Sequence, residues 1–351
     1  MPKSARKNSA RPTVISVAAR AGVSIGSVST VLNNRHLERR ISPETVQRIR
    51  QVALEMGYLP HIGAKQMRSR GGAKNNLILA LITSFEAPIS LINHFILAFR
   101  RAITEGSFRR TDCALSIMIE MYAAGRLREM PGLLSGDHFN AGVIMNTIAE
   151  DDHFLNRSHL PFPSVLVNRV VPGYTSVIEP PNAGARSAEI LIQGKRSRLV
   201  VLHSQSLTQS TRARVDSFMQ RSGELLGRAS REVVANQLSE TGGYEAMLAV
   251  LKSGTPPDGL YATSDGLALG AYRAIKERGL KIPRDISVIG VGDYEISPFF
   301  DPPLSCVGVS HQELAEKASR LLLRQLEGGG HEPQTVVVPV VETLRASSAA
   351  R

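Results

Sequence analysis

The sequence predicts an α + α/β chain: a three-helix helix-turn-helix headpiece, a hinge helix, then two doubly wound parallel-sheet subdomains. Three observations predict it. Residues 13–33, TVISVAARAGVSIGSVSTVLN, hold two short helical patterns around a glycine turn. Positive charge is concentrated ahead of residue 73. From residue 77 onward, apolar runs of strand length alternate with helical patterns, the signature of parallel sheets covered on both faces.

Residues 1–12 are expected to be a disordered basic arm, without the apolar segment of a signal peptide. Thr13 is placed to cap a first helix, on which Val17, Ala18 and Ala21 share a face. Gly22 supplies the turn, Val23 fills the corner, and Ser24 caps a second helix with Val28, Val31 and Leu32 on one face. This is the pattern of a helix-turn-helix, whose second helix enters the DNA major groove. Ser42-Pro43-Glu44 reads as N-cap, N1 proline and first-turn acid. A third helix follows through Val46, Ile49, Val52, Ala53 and Met56, and Gly57 ends it. The helix-turn-helix domain therefore spans 13–59. Residues 60–74 form a linker, with one short hinge helix over 61–68 and a flexible joint at Ser69-Arg70-Gly71-Gly72.

The charge agrees with this reading. The chain has 351 residues and a net charge of +11. Residues 1–72 hold 13 Lys and Arg against three acids, so +10 of the charge lies there and +1 on the other 279 residues. Such a cationic module gains affinity for a polyanion by releasing its condensed counterions. It lacks the aromatic or leucine face of a membrane-surface helix.

In the body, strands are expected at 77–82, 114–119, 142–145, 164–167, 199–202, 260–262 and 286–290. Helices are expected at 93–104, through Arg214 and Phe218, at 240–251 and at 265–278. So many strands exceed one modest sheet, and 279 residues are ample for two subdomains. Cys113 and Cys306 read as buried thiols, with no disulfide framework or metal spacing. No apolar run reaches the length of a membrane span, so a soluble cytoplasmic protein without a membrane partner is expected. Gly194-Lys195-Arg196 lacks the glycine spacing of a phosphate loop, and Gly290-Val291-Gly292 is a fragment of a dinucleotide fingerprint. Asp151-Asp152-His153 reads as the acidic first turn of a helix rather than a metal site. No catalytic triad assembles, so no cofactor, metal or enzyme activity is expected.

The runs VAARAGVS, SVSTVLN, ISPETVQRI and ALEMGYLPH closely resemble the LacI/GalR family of bacterial transcriptional repressors, and the resemblance extends over nearly the whole chain. It implies a body of the periplasmic-binding-protein type that the chain crosses three times. The subdomains would comprise about 75–168 with 307–326, and about 169–306 with 327–345, followed by a tail at 346–351. It implies that Ser24, Ile25 and Gly26 begin the recognition helix, and that Ser27, Ser29 and Asn33 contact phosphates or bases. Thr13, His36 and Tyr58 join that DNA face. Ala64 and Met67 would face the minor groove, with Met67 in place of the usual leucine wedge. Thr30 stands where many members carry a guanine-reading arginine, a contact that threonine cannot make.

An effector is expected between the subdomains, at the carboxyl ends of strands. Ser84, Asn146, Asn168, Ser264, Asp265 and Asp293 lie at or just after strand ends. Phe95 matches a segment at the cleft mouth, and Arg212 lies within STRARVDSF, which resembles the family's effector-arginine motif. Gly292, Ser264 and Pro181 stand where the family often has acids or Asn, so carboxylates that grip sugar hydroxyls are missing. The implied function is a dimeric repressor on a pseudo-palindromic operator, controlled by a sugar, sugar acid or related metabolite. The alternatives are a small-solute-binding module with degenerate DNA specificity, or an enzyme acting on a sugar or nucleotide. The terminal residues ETLRASSAAR contain no leucine heptads, which argues against a coiled-coil tetramer.

Overall fold

The computed structural model describes residues 13–32, 41–56, 75–87, 89–105, 113–134, 136, 138–205, 207–327 and 332–348. The basic arm, the hinge helix at 61–68, and Asn33, His36, Tyr58, Ala64 and Met67 lie outside the described residues. The chain separates into two compact units, Met1–Ala73 and Lys74–Arg351.

The first unit holds α1 (Val14–Ala21), α2 (Ile25–Leu32) and α3 (Pro43–Glu55). Val17, Ala21, Val28, Val31, Val46, Ile49 and Ala53 close its core. They are the periodic positions of the sequence, since 3.6-residue spacing puts them on facing stripes.

The second unit is built on two six-stranded sheets among the described residues. The first comprises β1 (Asn75–Ser84), β2 (Cys113–Tyr122), β3 (Ala141–Ile144), β4 (Ser164–Val167), β5 (Thr175–Ile178) and β11 (Thr335–Val337), in the order β11-β5-β4-β3-β1-β2. Along β1, Leu79 and Leu81 pack against α4 (Ile89–Thr104) and α10 (His311–Leu326) through Phe95, Phe99, Leu314 and Leu322. Ala80 and Ile82 point the other way, towards Leu127, Phe139, Phe162 and Leu155 of α5 (Ala149–Asn156). Both faces are therefore covered, which accounts for the unbroken apolar strand.

The second sheet has β6 (Leu199–Ser204), β7 (Arg231–Ala235), β8 (Gly259–Ala262), β9 (Ser287–Gly290), β10 (Ser305–Val309) and β12 (Val340–Thr343), in the order β12-β10-β9-β8-β6-β7. Helices α6 (Ala183–Gln193) and α7 (Gln209–Leu226) cover one face through Ala188, Leu191, Val215 and Phe218. Helices α8 (Glu240–Lys252) and α9 (Asp265–Glu277) cover the other through Met247, Val250, Ala271 and Ile275. Ladders are parallel except at the β10–β12 edge, which is antiparallel.

Three boundaries move from their expected places. The first crossing follows β5 rather than residue 168, because β5 returns beside β4 after only a short loop. The buried Arg169 guanidinium fastens that loop, donating to the Val167 and Thr147 carbonyls at 2.8 and 2.7 Å. The second crossing lies between β10 and α10, and the third between β11 and β12. Residues 346–348 are not tail. Ser347 and Ser348 are buried, and Ser347 Oγ accepts from the Ser305 N–H at 2.8 Å and donates to the Val288 carbonyl at 2.6 Å.

Helices α8 and α9 approach closely at Gly270. A Cβ there would overlap the Glu240 carbonyl and lie 2.5 Å from the Tyr244 nitrogen. Gly270→Ala would gain helix propensity, about 1 kcal/mol, but overpack the crossing. We expect a net loss of about 2 kcal/mol in urea unfolding; a stabilised variant would show that the helices can part freely.

Candidate nucleic-acid interface and ligand cleft

The headpiece is shaped by its caps. Thr13 Oγ1 accepts the Ser16 N–H at 3.1 Å, and the Ser16 hydroxyl accepts the Thr13 N–H at 2.7 Å. This satisfies two donors at the start of α1. Gly22 adopts φ 66°, a left-handed conformation natural to glycine, and its N–H closes on the Ala18 carbonyl. Ser24 Oγ then accepts from the Ser27 N–H at 3.0 Å. The two helices meet at 105°, within the range of helix-turn-helix motifs.

Burial of Val28 and Val31 turns the rest of α2 outward. Ser24, Ile25 and Gly26 are exposed, and Ser27, Ser29 and Thr30 are half-buried beside them. Ile25 is an apolar side chain 46% exposed at the helix start, chemistry suited to a thymine methyl. Thr13 is exposed at the start of α1.

The cleft of the second unit lies between the carboxyl ends of the two sheets. Ser84, Asn146 and Asn168 line it from the first sheet, and Ser204, Thr263, Ser264 and Val291 from the second. Asn146 and Asn168 have φ of 56° and 58°, which Asn tolerates better than most residues. The turn role and the cleft position thus coincide. Asn168 Oδ1 accepts the Glu179 N–H at 3.1 Å, committing its carbonyl and leaving its NH2 as a donor. Thr208, Ser210 and Thr211 bring the start of α7 to the same space.

Four expected cleft residues are elsewhere. Phe95 is fully buried in the core beneath the first sheet. The Arg212 side chain is half exposed and pairs with Asp216 and Glu232 at 3.5 and 3.6 Å. One helical turn does not bring i and i+2 to the same face, so it is Arg214 that lines the cleft. Asp265 is buried beneath Ser264, with Oδ2 accepting from Ser297 Oγ at 2.8 Å. Burial pushes its carboxyl up to about 7, although the Ser297 bond opposes the rise. Asp293 pairs with Arg345 at 2.7 Å and lines a second cavity.

Arg214 is held from behind by Glu179, both side chains being almost completely buried. Nη2 donates to Oε2 at 2.7 Å, and Nε lies 2.6 Å from Oε1. Burial lowers the Arg214 pKa and the Glu179 charge raises it, with the net direction upward. Nε and Oε1, although in ionic contact, are not aligned for a hydrogen bond, so the pair is joined by the single Nη2–Oε2 bond.

His311 and Tyr294 were not legible as site residues. They belong to different subdomains, yet stack with ring centroids 4.4 Å apart and line the cleft together. His311 occupies the space that a side chain at Gly292 would need. The absence of a side chain at 292 thus lets an imidazole from the opposite subdomain pack directly against the backbone there. Burial pushes that imidazole down to about 3, with smaller contributions from Arg214 and His94. It is neutral at physiological pH.

The cleft encloses about 80 Å³ and the second cavity about 340 Å³. The smaller space is lined at the carboxyl ends of β1, β3, β4, β6, β8 and β9, the larger, among the parallel strands, only at those of β9 and β10. The larger is lined largely by the ion-paired Asp293 and Arg345 and by crossover residues. Position at the strand carboxyl ends favours the first as the ligand cleft.

Comparison with known proteins follows this division. Residues 13–61 match the family described as "Bacterial regulatory proteins, lacI family", and residues 167–348 match the "Periplasmic binding protein-like domain". The chain is 27% identical over 329 residues to the HTH-type transcriptional regulator GalS of Salmonella typhimurium, covering 90% of each chain. It is 25% identical over 349 residues to the ribose operon repressor of Haemophilus influenzae, covering 95% of this chain and 98% of that one. Among solved structures, a lac repressor dimer bound to operator and the anti-inducer ONPF aligns with TM-score 0.68 and 22% identity, over 97% of this chain and 100% of the other. A complex of the transcriptional regulator CelR with cellobiose aligns with TM-score 0.65 and 22% identity, over 96% and 100%.

Proposed function

The chain belongs to the lacI family of bacterial regulatory proteins, and from that membership we propose a dimeric repressor whose operator binding is controlled by a small molecule in the inter-subdomain cleft. The exposed start of α2 on a basic helix-turn-helix module is the observation that carries the DNA-binding half. Ser24, Ile25 and Gly26 meet base edges, while Ser27, Ser29 and Thr30 contact the backbone or neighbouring bases. On the family resemblance, Thr13, Asn33, His36 and Tyr58 are proposed as further DNA contacts and Ala64 and Met67 as minor-groove contacts. One headpiece reads a short half-site, so two related by a twofold axis bind a pseudo-palindrome.

Structural neighbours are described with bound ribose, cellobiose and ONPG, and a small polar metabolite is the matching effector here. Ser84, Asn146, Asn168, Ser264 and Arg214 would hold it. A ligand touching both subdomains favours their closed arrangement, and the sign of regulation follows from which arrangement binds DNA. Sequence-specific regulation, rather than turnover of the ligand, is the activity proposed.

The test is selection of bound sequences from random duplex DNA. A pseudo-palindromic consensus is expected, with affinity falling about 10³-fold or more between 50 and 200 mM salt. Recovery of no motif above salt-sensitive background would leave a solute-binding module with no operator.

A further inference from the structure

We propose that His203 is a proton-dependent positioning residue for the cleft: its imidazolium form ties the end of β6 to β7 and to the first turn of α7, and loss of its proton releases that wall. The inference rests on the cleft being the effector site and names a regulatory input to it.

The strand pattern places the ring. Leu199 and Val201 of β6 face α6 and α7, and side chains alternate along a strand, so His203 points to the same face. It is 2% exposed. Across the parallel ladder Val201 pairs with Glu232 and His203 with Val234, which makes Glu232 the diagonal neighbour of His203 on that face.

Both ring nitrogens meet acceptors. Nδ1 lies 2.7 Å from the Ser204 carbonyl oxygen, and Nε2 lies 2.7 Å from Glu232 Oε1. A carbonyl accepts and cannot donate, and the same holds for a carboxylate. Glu232 also lies 3.6 Å from the Arg212 guanidinium, whose donors call for the carboxylate form. A neutral imidazole carries one N–H, so it serves one contact and turns a lone pair on the other. The doubly protonated ring serves both. The other charged groups on the packed elements have partners of their own. Asp216 lies 3.5 Å from Arg212, Glu189 of α6 pairs with Arg186 and Arg221, and Glu179 pairs with Arg214. Arg231, beside Glu232 on β7, turns to Ser253. From β8, Thr263 Oγ1 donates to the Leu202 carbonyl.

This cluster sits against the cleft. Ser204 lines it, as do Thr208, Ser210 and Thr211 at the start of α7. Glu232 is the shared partner of the ring and of Arg212 in the first turn of that helix. A deprotonated ring leaves the Ser204 carbonyl or the Glu232 carboxylate facing a lone pair, and an unmatched buried acceptor is destabilising. The strand end and the helix start then separate more readily, which weakens the hold on a cleft ligand as pH rises. Histidine is the side chain whose charge changes near neutral pH.

The experiment follows the nitrogen-15 signals of the His203 ring and amide hydrogen exchange in the full chain from about pH 5 to 10. Both ring nitrogens should be protonated at the acid end. The Gln205 N–H closes on the Ala235 carbonyl and the Arg212 N–H on that of Thr208. Across the pH at which the ring signals change, protection of these two amides should fall about tenfold or more, after correction for intrinsic exchange. Amides of β4, in the first sheet, should hold. In Glu232→Gln the carboxamide accepts from the charged ring or donates to the neutral one, so protection should persist and the pH step disappear. A ring singly protonated throughout the range overturns the charge assignment, and one doubly protonated throughout overturns the switch. Protection that is unchanged across the ring's transition, or a step that survives in Glu232→Gln, overturns the positioning role. No ligand enters these readings, so their failure counts against His203 and leaves the cleft reading standing.

Discussion

Arg214→Met is expected to cost about 3–5 kcal/mol of stability in the cleft-bearing unit, because it strands the buried Glu179 carboxylate. Both side chains of the pair are under a tenth exposed. In that setting loss of one partner leaves an uncompensated charge, whereas loss of both leaves a packing problem only. The double variant Arg214→Met, Glu179→Met should therefore recover most of the stability, since apolar replacements of buried ion pairs are often neutral or better. Ligand response should stay absent in the double variant. Urea unfolding of the two variants, with ligand titration of the double, separates the structural role of the pair from its binding role. A single variant as stable as the wild type would mean that water reaches Glu179.

The second large effect lies in the pH dependence, where two buried groups act in opposite directions. His311 has its pKa pushed down to about 3 by burial, and then by Arg214 and His94. The unfolded chain binds a proton near the ordinary value of 6.5, so stability from the neutral ring is present above that pH and is lost as pH falls towards 3. Asp265 has its pKa pushed up to about 7 by burial, against the Ser297 bond, with Asp293 raising it and Arg345 lowering it. Its stabilising contribution is full below the unfolded value of 3.8 and is lost as pH rises to about 7. Between about pH 4 and 6.5 the two slopes oppose each other, and the wild-type profile should be flatter than either alone.

Asp265→Asn keeps an acceptor for Ser297 but removes the buried charge. It should gain about 2–4 kcal/mol relative to wild type at pH 8, and lose that advantage towards pH 4. His311→Asn should remove the acid-side loss and expose the Asp265 slope. Chemical unfolding across this range measures both. An Asp265→Asn profile parallel to wild type would show that Asp265 does not titrate there.

These residues also show how far the sequence could be read. The headpiece was legible almost completely, because its caps and periodic apolar positions are local. Thr13, Gly22 and Ser24 act within four residues of themselves. Strands β1, β3, β4, β6, β8 and β9 were legible for a related reason, since burial on both faces leaves continuous apolar runs, whereas the buried strands β5 and β10 are broken by Thr175, Ser176, Ser305 and Gly308 and were missed. The edge strands β7, β11 and β12 were not, because their partly exposed residues carry no such run. In the cleft, Ser84, Asn146, Asn168 and Ser264 were legible from their place at strand ends. Arg214 was missed by two residues, since only the packing of α7 on its sheet says which arginine faces inward.

The sequence by itself determined a basic helix-turn-helix module and a two-sheet α/β body with polar residues at the strand ends. Those properties follow from short-range periodicity, capping and charge. The tertiary structure alone decided that Glu179 stands behind Arg214, that Asp265 and Asp293 turn away, and that His311 fills the space left by Gly292. Each of the pairs that decide this joins residues 19 to 52 positions apart, and their chemistry is set by burial. Solvent exclusion and charge pairing act through space, and no local pattern along the chain encodes them.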